Sequence, residues 1–420
     1  MTAVHAETFP EAAVRERART GAAAAFPPLS DYGSALLGEP QAPSSPDALD
    51  ATRLVPPVFM PLRLEKLIDL AREPLHNDVD LATTIGGFAA HLPLYLSAFG
   101  STRAVGTDLG LAAAAQAGAL GIPMVIGENV VPVDGYSGER SLLARITAYA
   151  DHAPTGVGGV VIQQSTEDAD AEVWNRVYSD PATRPLLESG RLGFELKVGQ
   201  GAKPGLGGLT VVDRAQAHRL ADQFALEPLI DPSGDRVLRC ASPGTFTEEI
   251  LRQQVRLMRN NYPRARVWVK LPPGRDVAAA ADVAWQAGAD AVTVDGAEGG
   301  SGWAPTTSLA GVGLPLAECL RRMGSPRGCL LVSGRIWEGL RAVKCLAAGA
   351  TATGLGRAAL LAVDEDRHAG LTRLVEALTL ELRLLISALG KYHPAALSTE
   401  DLWSPAGWPV PAASMAGARG

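Results

Sequence analysis

The stretch Asp276-Val-Ala-Ala-Ala-Ala-Asp-Val-Ala-Trp-Gln-Ala-Gly288-Ala-Asp-Ala-Val-Thr-Val-Asp295-Gly-Ala-Glu-Gly-Gly-Ser-Gly302 decides the fold. An Ala-rich helical run stops at Gly288, a β-branched run begins at Ala291, and that run opens into a glycine-rich loop. The same punctuation recurs along the chain. The β-rich runs are Leu94-Tyr-Leu-Ser-Ala, Pro123-Met-Val-Ile-Gly, Gly159-Val-Val-Ile-Gln, Gly193-Phe-Glu-Leu-Lys-Val, Val267-Trp-Val-Lys-Leu, Ala291-Val-Thr-Val-Asp, Cys329-Leu-Leu-Val-Ser and Ala352-Thr-Gly-Leu-Gly. Helical stretches between them include Leu109 to Leu120, Thr247 to Asn260, Asp276 to Ala287 and Trp337 to Ala348. Alternating strands and helices make a parallel sheet, and eight such strands close into an α/β fold, the (β/α)8 TIM barrel.

Outward from this repeat, the 420 residues divide into an N-terminal extension (1–80), the barrel (81–395) and a short C-terminal tail (396–420). The extension holds a Pro-rich arm from Phe26 to Pro46 and a helical pattern from Leu62 to Arg72, whose Leu64, Leu67, Ile68 and Leu70 read as a packing face. A 47% hydrophobic and 20% charged composition belongs to a folded chain with a sizeable core. Net charge of −7 without a Lys/Arg run argues against nucleic acid and anionic membrane as partners. The start shows no export signal, and the most apolar stretch, Gly110 to Gly127, is interrupted by Gln116 and Pro123. Cys240, Cys319, Cys329 and Cys345 form no CxxC, and no histidines pair at HxxH spacing, so we expect no bound metal and a reducing cytoplasm.

In such barrels the chemistry sits where strands end. Ser333-Gly-Arg335 and Gly354-Leu-Gly-Arg357 close the seventh and eighth runs, the usual place for a phosphate. Gly199-Gln-Gly-Ala-Lys-Pro-Gly-Leu-Gly-Gly208 follows the fourth, but it lacks the third glycine of a dinucleotide fingerprint and is followed by no Gly-Lys-Ser/Thr. Lys270 alternates with Trp268, so its ammonium either meets an anion or an electron-rich ring inside the barrel or reaches solvent. Lys197 and Lys203 pose the same choice. Glu128, Asp295 and Glu298 either bind a hydroxyl or amine or cap a helix. Trp303 and Trp337 either wall a pocket over a planar cofactor or pack loops. His393 reads as part of a packing turn.

Together, Gln200-Gly-Ala-Lys-Pro-Gly-Leu-Gly-Gly208, Val269-Lys-Leu271, the run Asp295 to Ser308 and Val332-Ser-Gly-Arg-Ile336 resemble the FMN-binding synthase domain of glutamate synthases. The similarity runs from about Leu94 to the closing helix Leu371 to Leu389. It implies FMN with its phosphate on Ser333, Gly334, Gly356 and Arg357 and its ring across the barrel mouth, with Ser97, Ala98, Asp295, Gly299, Gly300 and Arg335 also binding the cofactor. Lys270 would face the pyrimidine edge, and Gln163 or Gln164 the ring's polar edge. Lys197 and Glu128 would hold substrate near the flavin, with Lys270 completing the catalytic set. Gln200, Gly201, Lys203, Leu209 and Trp303 would complete the substrate pocket.

The chain departs from that pattern in three places. The segment Leu360 to His368 has no cysteine where the family ligates an iron–sulfur cluster, so FMN without a cluster is expected. Leu209 replaces a substrate-binding glutamine and Trp303 a small residue, which makes the pocket more apolar than one for 2-oxoglutarate. No nucleophilic N-terminal cysteine precedes the barrel, so ammonia would be free or come from an amidotransferase partner. The histidine that FMN-dependent 2-hydroxy acid oxidases carry in the sixth loop is also missing. The resemblance therefore implies a glutamate synthase-like oxidoreductase, a homo-oligomer acting at the amine or imine carbon of an amino acid or 2-oxo acid derivative. The alternatives are an FMN-dependent isomerase or biosynthetic enzyme without net redox, and a flavin subunit served by a reductase or amidotransferase chain.

Overall fold

The computed structural model describes residues 4–7, 9–25, 48–99, 109–127, 139–166, 171–199, 201, 209–217, 221–222, 224–227, 236–240, 246–299, 311–405 and 407–408. The Pro-rich arm and the end of the C-terminal tail lie outside them. Each β-rich run forms one barrel strand: β1 (Leu94–Phe99), β2 (Met124–Ile126), β3 (Val160–Ser165), β4 (Leu192–Lys197), β5 (Arg266–Leu271), β6 (Ala291–Asp295), β7 (Cys329–Ser333) and β8 (Ala352–Leu355). They close in sequence order, β8 pairing in parallel with β1.

Strand parity sorts the side chains. Val267, Val269 and Leu271 of β5, with Val292 and Val294 of β6, face the surrounding helices, whereas Trp268 and Ala291 fill the barrel with Tyr95, Val125, Val161, Leu331 and Ala352. A hairpin, Thr83–Ile85 against Phe88–Ala90, contributes Ile85 and Phe88 to this interior cluster. Its turn accepts the Trp268 indole N–H at Gly86 O (3.0 Å). Gly86 has φ +54°, and a Cβ there would lie inside the Trp268 ring, so both its conformation and its neighbour require glycine.

In chain order the helices used below are α1 (Glu11–Thr20), α2 (Pro61–Leu70), α3 (Leu109–Leu120), α4 (Glu139–His152), α5 (Ala171–Ser179), α6 (Arg184–Glu188), α7 (Glu248–Asn261), α8 (Val277–Ala287), α9 (Leu316–Met323), α10 (Gly339–Ala347), α11 (Arg357–Glu365) and α12 (Gly370–Ala388). Gly288 ends α8 in the left-handed region, as its place in the sequence predicts. Among the described residues no helix is long and apolar enough to cross a membrane.

Three features differ from the sequence reading. The β4–β5 connection contains an antiparallel sheet, Leu209–Asp213 and Ala225–Glu227 flanking Arg236–Cys240. The expected packing face on α2 is not one: no α2 residue is buried, and Leu64 and Ile68 are 58% and 67% exposed. Pro61 starts this helix, and Arg63, bonded to Tyr392 Oη at 2.8 Å, holds it to the body instead. Conversely α1, whose Arg/Glu-rich sequence resembles a solvated surface, is docked. Arg15 pairs with Asp364 and Glu365 of α11, and Arg17 with Glu381 of α12 at 2.6 Å. Buried guanidiniums are tolerated there because carboxylates meet them.

Candidate active site

Above the apolar cluster the interior turns polar. Gln163, Glu195, Lys270 and Thr293 come from four consecutive strands, and the register sets Gln163 opposite Glu195, and Lys270 opposite Thr293. Glu195 is 1% exposed and accepts from Gln163 Nε2 (2.5 Å) and Thr293 Oγ1 (2.8 Å). Lys270, 6% exposed, forms an ion pair with Asp295 Oδ2 at 3.0 Å. Ser333 Oγ donates to the other Asp295 oxygen. The ammonium therefore does not reach solvent, and Asp295 is not an open strand-end carboxylate.

Burial pushes the Glu195 carboxyl above its usual range, while the Lys270 charge and the two hydrogen bonds pull the other way without cancelling the shift. Burial first, and the Asp295 charge second, raise the Tyr95 phenol well above its ordinary value. A carboxyl whose folded pKa is raised adds stability that is complete below its unfolded pKa and is lost as pH rises through the folded one. The stability of wild type relative to Glu195→Gln is therefore expected to fall as pH increases above about 4.3. Urea unfolding of both proteins across the acid-to-neutral range checks this, and a difference that grows with pH would show the opposite shift.

The ends of β7 and β8 form a cationic corner. Gly334 and Arg335 both have positive φ, +151° and +55°, and Arg341 Nε donates to Gly334 O at 2.9 Å. Gly356 precedes α11, directing that helix's first N–H groups toward the strand end. Arg357, the first helical residue, donates to Glu298 O at 2.6 Å. Burial, and then the nearby Arg335 charge, lower its pKa to about 10. The buried Arg335 and the half-buried Arg357, repelling one another beside a helix N-terminus, suit a doubly charged phosphate.

Among the described residues, a Cβ on Gly356 would have only Ser97 Cβ within 4 Å, at 3.9 Å, whereas one on Gly354 would collide with the Ser97 and Tyr95 hydroxyls. Those two hydroxyls are buried, and neither makes a well-formed hydrogen bond among the described residues. This corner, with the Lys270 layer beside it, fits a planar cofactor carrying a phosphate.

Residues 183–368 match the family model described as the conserved region in glutamate synthase. The chain shares 31% identity over 186 aligned positions with an archaeal-type glutamate synthase [NADPH] of Dehalococcoides mccartyi, covering 42% of this chain and 36% of that protein. Residues 183–368 are similar to glutamate synthases. A glutamate synthase large subunit-like protein of Rhizobium meliloti is 32% identical over 185 residues, 42% of this chain and 40% of its own. The match thus spans well under half the length of these relatives. Among solved structures, a mandelate oxidase variant with 2-hydroxy-phenylacetamide aligns at TM-score 0.53 and 19% identity, over 92% of this chain and 95% of that one. A flavocytochrome b2 variant with sulfite aligns at 0.55 and 17%, over 89% and 82%. At these identities they show the barrel fold.

In this barrel the residues singled out from sequence divide clearly. Ser97, Gln163, Lys270, Asp295, Ser333, Gly334, Arg335, Gly356 and Arg357 converge on the C-terminal mouth. Ala98 packs partly buried against the interior cluster, and Lys197 ends β4 in register with Lys270. Gly201 is buried with φ +41°, and Gly299 N–H bonds Gly296 O at 2.9 Å. Gln164 is on the opposite pleat face from Gln163, with Ile162, so parity removes it from the interior. Glu298 accepts from the first N–H of α9 and pairs with Arg341 at 2.9 Å, which is the capping alternative. Trp337 packs on the core beneath Arg17, which is the packing alternative. His393 caps a short 3-10 turn by accepting from Ala395 N. Glu128, Gln200, Lys203, Gly300 and Trp303 lie outside the described residues, and Leu209 contributes its backbone to the antiparallel sheet, paired with Cys240.

Sequence reasoning passed over Glu195, Tyr95 and Thr293, although each occupies an inward alternate position in a run it had identified. It also missed Arg341, on a helix, and Phe9 and Asp50, more than 280 residues from the arginines they contact.

Proposed function

We propose that this chain is an FMN-dependent, glutamate synthase-like oxidoreductase acting at the amine or imine carbon of an amino acid or 2-oxo acid derivative. The observation that carries the reading is the buried Lys270–Asp295 pair beside the two-arginine corner, within a segment of glutamate synthase sequence. Ser333, Gly334, Arg335, Gly356 and Arg357 would hold the phosphate. Ser97, Ala98, Gln163, Lys270, Asp295, Gly299 and Gly300 would border the ring. FMN supplies hydride transfer at N5 when bound.

The chain's own residues have separate tasks. Lys270 keeps a positive charge at the mouth, and Asp295 and Ser333 aim its ammonium. Glu195 can hold a proton at its carboxyl because burial disfavours the anion. Lys197 would bind a substrate carboxylate, with Glu128, Gln200, Gly201, Lys203, Leu209 and Trp303 completing the pocket. With no cysteine between Leu360 and His368, we propose a cluster-free enzyme of the cytoplasm, reduced by a soluble donor or partner. The same cysteine-free segment favours a second reading, a flavin subunit served by a separate reductase or amidotransferase.

Purified protein is expected to show a flavin absorbance band that bleaches on anaerobic addition of glutamate or NADPH. A band that resists both favours the subunit reading or a use of FMN without net redox. Protein that is colourless and takes up no FMN refutes the assignment.

A further inference from the structure

The two arginines at the ends of β7 and β8 are each held by the N-terminal segment, which lies outside the matched family region. The Phe9 ring lies under the Arg357 guanidinium, 4.7 Å from its central carbon, and is itself 5% exposed. Phe9 is fixed by its N–H to Ala6 O (2.9 Å), and α1 behind it is anchored through Arg15, Arg17 and Arg19 to carboxylates of α11 and α12. On the other side, Asp50 Oδ2 lies 3.8 Å from Arg335 Nη1, and Asp50 Oδ1 accepts from Arg341 Nη1 at 2.8 Å. Lys344 Nζ ties down this part of the segment by donating to Leu49 O and Asp50 O, at 3.0 and 3.2 Å. Arg335 also occupies the left-handed region, a conformation that is costly for a non-glycine residue and persists only when its surroundings enforce it.

We propose that Phe9 and Asp50 are positioning residues for the cofactor phosphate: the ring holds the Arg357 guanidinium and the carboxylate holds Arg335, so that both cations converge on one phosphate. This rests on the FMN reading above. Charge and position act in opposite directions at Asp50. As an anion beside a phosphate it weakens binding through space, so its removal would tighten FMN if charge were all that mattered. A positioning role makes the same removal weaken FMN.

The test compares FMN with riboflavin, which lacks the phosphate, by flavin fluorescence quenching on the full-length apoprotein. Phe9→Leu and Asp50→Asn are each expected to weaken FMN roughly tenfold, the scale of a lost cation–π or ion-pair contact, while riboflavin affinity changes less than about twofold. Phe9→Tyr, which keeps the ring, and Asp50→Glu, which keeps the charge, are expected to recover most of the loss. Equal losses for FMN and riboflavin, or tighter FMN in Asp50→Asn, overturn the positioning role. Wild-type protein that binds neither flavin overturns the cofactor reading itself, a separate outcome. Should Phe9→Leu fail to fold, Asp50→Asn and Asp50→Glu decide the question by themselves.

Discussion

Replacing Lys270 by methionine is expected to destabilise the protein by about 3–5 kcal/mol, the range found when one partner of a buried ion pair is removed. Lys270 and Asp295 side chains are 7% and 4% exposed, so solvent cannot take the place of the missing ammonium. Two carboxyls would be affected. Among the described residues Asp295 keeps the Ser333 hydroxyl as a hydrogen-bond partner but no cation, and Glu195 loses the cation that opposes its desolvation. Urea denaturation at neutral pH measures the loss. Lys270→Met combined with Asp295→Leu should recover a substantial part of it, because the penalty comes from the stranded charge rather than from the missing contact. If Lys270→Met alone is neutral, the layer is more hydrated than its burial indicates, and Lys270 is a surface lysine in energetic terms.

Arg341→Met is expected to cost roughly 3 kcal/mol and to loosen the β7 end as well. At 1% exposure its guanidinium joins Gly334 O, Asp50 and Glu298, three groups from three separate parts of the chain. Methionine fills much of the volume but leaves two carboxylates and one carbonyl without that donor. The expected signature is a lower urea midpoint together with weaker FMN binding, since Gly334 borders the proposed phosphate position. Arg341→Lys keeps the charge but cannot reach three acceptors with a planar fork, so it should restore stability only in part. A variant with wild-type stability and FMN affinity would show that Asp50 and Glu298 hold the corner without it.

These two residues illustrate different degrees of legibility. Lys270 could be found from sequence because it alternates with Trp268 in a short β-rich run, and a period of two specifies which face a residue occupies once one interior residue is known. The same parity would have selected Glu195 and Thr293, and would have separated Gln163 from Gln164. Arg341 has no such signal: on an amphipathic helix, an arginine that turns inward to carboxylates and one that turns to solvent have the same local sequence. α2 shows the converse error, an apolar pattern that the fold leaves exposed because helix periodicity says which residues share a face and not what covers it.

The sequence by itself determined the eight strands, their parallel order, the glycine-rich strand ends and the similarity to glutamate synthases, because all of these depend on local periodicity and on contiguous motifs. Only the tertiary structure decided that Lys270 is spent on Asp295, that Glu195 is sealed beneath it, and that Phe9 and Asp50 close on Arg357 and Arg335. Each of those facts is a charge meeting a partner across a long stretch of chain. Burial decides whether a charge must be paired, and burial is a property of the assembled barrel that no local run of residues encodes.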